Sequence, residues 1–373
     1  MNTNLRSWVK KLAPLLASVM MTACASAPPG LSPGDVARAK DQLLDPAHFG
    51  VSPGMNLPPA HLLEVTDEMR NFLRQHVPDS LSNTQKARRI LRAILGEGLD
   101  LQYHNFRTFT APETFHSREG NCLSFTNLFV ALGREAGLKV SYQEVEVPPS
   151  WGTKNGTWLF SKHINALVKL PDKNQVVDFN LSAFDEEFPR YKLTDEAALA
   201  RYYNNLGVQW MGEGDTAKAF QYFRGALQLE PDTSYFWTNL GTLYRRVGGE
   251  NPRVEQAYRV AIAIDDEPVA MSNLARHYRT LGEDEKAKYY EKRVQLFRRR
   301  NPFYLFQLAQ EAYEQDQYSE AKRLLQRAIY IHHDDPQFHR LLGETYKELG
   351  NIVASQRHFR EASELIKNES TPL

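Results

Sequence analysis

Leu206-Gly207-Val208-Gln209-Trp210-Met211-Gly212-Glu213-Gly214 is echoed 34 residues later by Leu240-Gly241-Thr242-Leu243-Tyr244-Arg245-Arg246-Val247-Gly248. The phase continues at Leu274, Leu308 and Leu342, each followed by a small residue, Ala275, Ala309 and Gly343. Three places beyond the small residue an aromatic stands in four of the five units, as Trp210, Tyr244, Tyr278 and Tyr346. Small or aliphatic residues recur further on, at Ala226, Val260, Val294, Ala328 and Ala362. Seven positions beyond the small residue lie Gly214, Gly248, Gly282, Asp316 and Gly350. Such a place suits a left-handed turn between two helices, a conformation that Gly adopts freely and Asp tolerates. The pattern predicts helix hairpins stacked in one direction, with small residues allowing close approach and aromatics filling the gaps. The second unit departs from it: Arg253 falls where a small residue is expected, and Ala257 and Tyr258 point to a one-residue insertion near Gly249.

This half, residues 196–373 with its repeats over about Ala200–Lys367, resembles tetratricopeptide repeats in about five copies. The resemblance implies an all-α solenoid whose concave groove holds a peptide or partner protein. The repeat pattern is equally that of a rigid spacer or a self-packing surface, because it identifies no ligand. His332-His333-Asp334-Asp335 falls in an inter-repeat loop by the same phase and is expected as a solvated turn, not a metal site. Arg298-Arg299-Arg300 is expected to end a repeat helix.

The chain has 373 residues, of which 42% are hydrophobic and 24% charged, near the average for soluble globular proteins. Global disorder and a polytopic membrane protein are both excluded. Lys+Arg 45 balances Asp+Glu 45, so whole-chain charge offers no reason to expect nucleic acid. The two cysteines, Cys24 and Cys122, are too few for a disulfide-stapled domain or a Cys-rich zinc module. No phosphate-cradling Gly-rich loop and no His-Glu-x-x-His helix occurs, and neither cofactor nor metal is expected.

Residues 1–23 have the form of an export signal: basic Arg6, Lys10 and Lys11, an apolar stretch Leu12–Met21, and Met21-Thr22-Ala23 directly before Cys24. The apolar stretch falls far short of the ~20 residues that span a bilayer as a helix. Thr22-Ala23-Cys24 and the Ala/Ser/Pro-rich segment Ala25–Pro33 resemble a lipoprotein lipobox, with Met21 where Leu is usual. The resemblance implies lipidation at Cys24, a tether over residues 24–58 and a membrane anchor. It also implies the outer membrane, facing the periplasm, since Ala25 is not the Asp of inner-membrane retention. A lipidated Cys24 would leave Cys122 without a disulfide partner.

Residues 59–195 carry the chemistry. Helical spacing covers Pro59–Val77 and Ser82–Leu95, with Ser82 or Asn83 as N-cap of the second. After Cys122, the positions Phe125, Leu128, Phe129, Leu132 and Ala136 follow helical periodicity up to Gly137. Cys122 therefore begins a helix, where backbone N–H groups and the positive dipole end favour a thiolate and could hold an oxyanion. Strands are expected over Leu138–Val147, His163–Leu170 and Gln175–Phe179, the last two joined by a type I turn at Leu170-Pro171-Asp172-Lys173. A turn centred between Pro171 and Asp172 sets Asn165 opposite Asp178, with His163 diagonal to Asp178 on the same face. A slip of one residue would remove Asp178 to the other face. A thiol, an imidazole and a carboxylate then stand in the order Cys122, His163, Asp178. This combination supports nucleophilic attack, with His163 moving the proton and Asp178 holding the imidazole.

Arg118-Glu119-Gly120-Asn121-Cys122-Leu123-Ser124, with Leu128–Leu132 and Arg134-Glu135-Ala136-Gly137-Leu138, resembles the cysteine helix of the bacterial transglutaminase-like superfamily. Ser161-Lys162-His163-Ile164-Asn165 and Val176-Val177-Asp178-Phe179 resemble its histidine and aspartate strands. The resemblance covers about Leu81–Leu181 and implies a papain-like α+β core with a Cys122-His163-Asp178 triad. The family often has an aromatic shortly after the histidine, where Asn165 and Ala166 stand here. Tyr103 and His116 are both candidates for the upstream oxyanion donor. Two functions follow: a lipid-anchored cysteine acyl-transfer enzyme on protein or peptide amides, with hydrolysis favoured over cross-linking, or a non-enzymatic membrane-anchored adaptor.

Overall fold

Capping and periodicity fix most of the helices. The computed structural model describes residues 30–52, 57, 60–104, 107–145, 162–171, 174–179, 190–248 and 251–369. Cys24, the export signal and Gly249 lie outside them. The N-terminal mixed α/β region opens with α1 (Pro33–Leu43), α2 (Asp67–His76) and α3 (Asn83–Arg92). Then come β1 (Gln102–Tyr103), α4 (Ala111–Ser117), β2 (Glu119–Gly120) and α5 (Cys122–Glu135). The strands β3 (Lys139–Val145), β4 (His163–Lys169), β5 (Gln175–Val177) and β6 (Arg190–Leu193) form an antiparallel sheet in the order β5-β4-β3-β6. β1 and β2 pair separately and in parallel.

Three expectations need correction. Residues 24–58 are not a plain tether, because α1 packs across the repeats through Ala39 and Leu43. Tyr244 donates a 2.7 Å hydrogen bond to the Leu43 carbonyl, and Phe49 stacks on Phe220 at 4.4 Å. The helix expected over Pro59–Val77 starts only at Asp67. Thr66 caps it there, accepting from Met69 N at 3.3 Å, and the Leu62 carbonyl is taken up by Ala111 N at 2.9 Å instead. Alternation along β3 fails at its end, where Gln143, Glu144 and Val145 are all buried. Glu144 is covered there by two helices of the repeats.

Ten helices follow as five stacked pairs like tetratricopeptide repeats. They are α6 (Asp195–Glu213) with α7 (Thr216–Leu229), α8 (Ser234–Val247) with α9 (Pro252–Asp265), and α10 (Pro268–Thr280) with α11 (Asp284–Arg300). The last two pairs are α12 (Pro302–Glu314) with α13 (Tyr318–Ile331), and α14 (Pro336–Glu348) with α15 (Ile352–Glu369). All five turn positions have positive φ: Gly214 89°, Gly248 94°, Gly282 75°, Asp316 59° and Gly350 76°. The small residues let helices touch, since a Cβ on Gly207 would lie 2.6 Å from the Phe223 ring and one on Gly241 2.8 Å from Tyr258. Phe223 follows its glycine by 16 residues and Tyr258 by 17, the extra residue expected in the second unit. The first three pairs share an apolar core with the N-terminal region, while Leu305, Ala309, Leu325, Phe338 and Leu342 belong to a separate one. Among the described residues, no helix is long and apolar enough to cross a membrane.

Candidate functional site

Cys122 is the first residue of α5, and its approach is held on both sides. Asn121 caps the helix, its side-chain oxygen accepting from Ser124 N at 3.0 Å while its amide donates to Thr108 Oγ1 at 2.6 Å. Ser124 Oγ in turn accepts from Phe109 N at 2.8 Å. Gly120 is required by this packing, because a Cβ there would stand 2.4 Å from Ser124 Cβ. From Leu123 to Gly133 every residue of α5 is buried, so the helix is anchored along its length. Cys122 itself is half-buried and free.

The sheet delivers the other two groups. Ala166 pairs with Val177, Leu167 with Val176 and Val168 with Gln175, the expected register, while the turn expected at Leu170-Pro171-Asp172-Lys173 lies in part outside the described residues. One step further, where the chain has left the β5 ladder, Asn165 Nδ2 donates to Asp178 Oδ2 at 3.0 Å. His163 Nε2 lies 2.5 Å from the same oxygen, with 19% of the His163 side chain exposed and 1% of Asp178. Thr126 Oγ1 ties α5 to this strand, donating to the Cys122 carbonyl at 2.7 Å and reaching the Ile164 carbonyl at 3.3 Å. Burial alone would pull the His163 imidazole down. Hydrogen bonds to Asp178 and to the Cys122 side chain, with the negative charge of both, carry it up to about 10. His163 thus stands against Asp178, and the Cys122 side chain is near enough to hold the imidazole up.

The two oxyanion-donor candidates separate. The β1–β2 pair sets Tyr103 opposite Gly120, two residues from Cys122, and its ring stacks on Phe179 at 5.4 Å. Burial, followed by the charges of Cys122 and Asp178, pushes the Tyr103 hydroxyl up to about 12, so it remains a proton donor. His116, on α4, instead packs edge-on to Phe115 at 5.7 Å and lies near Glu68. His332-His333-Asp334-Asp335 occupies the turn between α13 and α14, where Asp335 caps α14. Among the described residues, no group of three or more His, Cys, Asp or Glu is placed to hold a metal ion.

Sequence reasoning missed the charged junction beside His163. Buried Glu144 receives Arg201 Nε of α6 at 2.6 Å, Tyr235 OH of α8 at 3.3 Å and Lys162 Nζ at 3.3 Å. Burial, then the charge of Glu144, pushes the Tyr235 hydroxyl far above its ordinary range. The one sequence signal for this junction is a carboxylate in β3, two places after Tyr142 and directly before Val145.

No family model and no curated protein matches the chain in sequence. Among solved structures, the C-terminal half is similar to repeat proteins. MamA matches at 16% identity over 44% of this chain and 96% of that one, with a TM-score of 0.25. PilF of Pseudomonas aeruginosa matches at 14% over 46% and 78%, with a TM-score of 0.27. BtubC from P. vanneervenii matches at 21% over 48% and 84%, with a TM-score of 0.26. Likenesses this distant carry no argument about function. The repeat architecture rests on the five helix pairs themselves.

Proposed function

We propose that this chain is a membrane-anchored envelope protein with a transglutaminase-like, papain-type cysteine acyl-transfer domain acting on protein or peptide amides, the partner held by the repeats. The observation that supports the reading most is the imidazole of His163, placed between Asp178 Oδ2 at 2.5 Å and the Cys122 side chain. In the reaction, Cys122 Sγ attacks the amide carbonyl carbon and the thiol proton resides on His163. The carbonyl π electrons move to oxygen, which α5 N–H groups and the Tyr103 hydroxyl stabilise. Collapse re-forms the carbonyl and breaks the C–N bond, and the His163 proton leaves with the amine. Water then resolves the thioester to an acid, or a second amine to a new amide, and Cys122 regains its proton. Hydrolysis is favoured. Anchoring would come from lipid on Cys24, at the periplasmic face of the outer membrane.

The test is Cys122→Ala. Loss of amide cleavage and of covalent trapping by thiol-directed probes, with folding and partner capture intact, is expected. If envelope material is processed equally by that variant, the nucleophile is wrong and the chain acts as an adaptor. Removing residues 302–373, whose apolar core is separate, should weaken partner capture; undiminished capture would place binding elsewhere in the chain.

A further inference from the structure

Asn165 is a fully buried amide with only half of its polar capacity in use. Its Nδ2 donates to Asp178 Oδ2 at 3.0 Å, but its Oδ1 has no hydrogen-bond partner. Its cross-strand neighbour Gln143 offers no relief, since Gln143 Oε1 is itself buried and unpartnered. The amide orientation is fixed by chemistry: an ionised carboxylate only accepts, so nitrogen must face Asp178. A buried polar atom left unpaired costs stability, and an apolar residue of the same shape would avoid that cost. Packing therefore gives no reason for Asn at this place.

The position of Asp178 gives one. Asp178 follows the last paired residue of β5, so the ladder no longer orients it. Its Oδ2 must point at His163 Nε2, and Asn165, on the neighbouring strand, holds that same oxygen from a second direction. We propose that Asn165 is a positioning residue, locking the Asp178 carboxylate against His163 and, through the imidazole, setting the state of Cys122. The proposal rests on the acyl-transfer reading for its consequence, but not for its geometry.

Two effects of removing the amide oppose each other. Without Asn165, the carboxylate loses its second hold on Oδ2, which weakens its grip on His163 and lowers the imidazole midpoint. If Asn165 merely shared the negative charge, its removal would leave more charge for His163 and raise the midpoint. Among the described residues, the charges that raise His163 are those of Asp178 and Cys122, with Tyr103 close to both, and none is changed by the substitution.

The experiment uses the full chain with Cys24→Ser, so that Cys122 is the sole thiol. Asn165→Leu is compared with its parent and with His163→Ala in three measurements. These are the His163 imidazole titration by NMR, the rate of Cys122 alkylation by iodoacetamide at pH 7, and the thermal midpoint. The imidazole midpoint should fall by about one unit or more, a tenfold change in proton affinity. Alkylation should fall toward the His163→Ala rate, while the thermal midpoint holds or rises. An unchanged or raised imidazole midpoint overturns the proposal. Should the leucine variant misfold, Asn165→Ala is read in the same way. Failure of the acyl-transfer reading looks different: His163→Ala would alkylate like its parent, and the imidazole titration would still decide the role of Asn165.

Discussion

Arg201 Nε of the first repeat helix lies 2.6 Å from Glu144 Oε2 of the central sheet, with 8% and 6% of the two side chains exposed. The repeats are therefore joined to the α/β region by a buried charge pair. Glu144 pairs with Ile164 across the strands, and Lys162, the residue before His163, also reaches it. Breaking one side of such a pair leaves a charge in a dry place, which costs about 3–5 kcal/mol. Arg201→Met should lower the denaturation free energy by that order, while Arg201→Met with Glu144→Leu should recover most of it. A single-variant loss below about 1 kcal/mol, the range of exposed pairs, would show that Lys162 or water keeps Glu144 satisfied without Arg201.

Adding one methyl group tests the repeat packing at two kinds of glycine. Gly207 faces the Phe223 ring at 2.6 Å from a built Cβ, so Gly207→Ala should cost roughly 1–3 kcal/mol by overpacking. Trimming the ring with Phe223→Leu in the same chain should reduce that cost. Gly214 has open space around a Cβ but a φ of 89°, so Gly214→Ala should strain the backbone with no packing partner to relieve it. Equal melting midpoints for Gly207→Ala and the parent would mean that the helices can part freely.

What the sequence displayed and what it hid differ in range. The five turn positions were legible because a left-handed φ selects Gly or Asp locally, whatever the helices pack against. The Asn165–Asp178 register was legible because Pro171 marks a short connection in the sequence and side-chain period two does the rest. The place of α1 was hidden, since Ala39 and Leu43 find Tyr244 and the second repeat some 200 residues away, and nothing in residues 33–43 announces that partner. The Glu144 junction was hidden for the same reason: its partners Arg201 and Tyr235 come from two different helices of the repeats. Thr66 was a local signal passed over, as its N-cap outweighed the helical spacing ahead of it.

The separation of the apolar cores after the third repeat predicts unequal stability. Asn301 ends α11 and, accepting from Tyr304 N at 3.0 Å, also caps α12, while Arg298 lies over the Tyr304 ring at 5.5 Å. Polar and cation–π contacts of this kind hold less than a shared core does. A chain ending at Asn301 should keep the melting midpoint of its α/β region and first three repeats. Hydrogen exchange in the full chain should show α12–α15 opening at a lower free energy than α6–α10. Loss of the fold of the α/β region on truncation would mean that the five repeats are one cooperative unit.

The pH dependence of stability isolates His163. Its imidazole is held up to about 10 against an ordinary 6.5, despite burial that would lower it, by the hydrogen bonds and charge of Asp178 and Cys122. A group raised on folding takes up a proton more readily in the folded chain than in the unfolded one. Its contribution is therefore complete below pH 6.5 and fades as pH climbs through about 10. Unfolding free energies measured from pH 6 to 10.5 should fall from about pH 6.5 and level off above about 10. Asp178→Asn removes the largest of the contributions that hold the imidazole up, so its midpoint drops and the slope over that window shrinks. An imidazole titrating near its ordinary value in the parent chain, with the same slope in Asp178→Asn, would separate His163 from Asp178 in solution. It would also remove the physical basis for a charged imidazole beside Cys122.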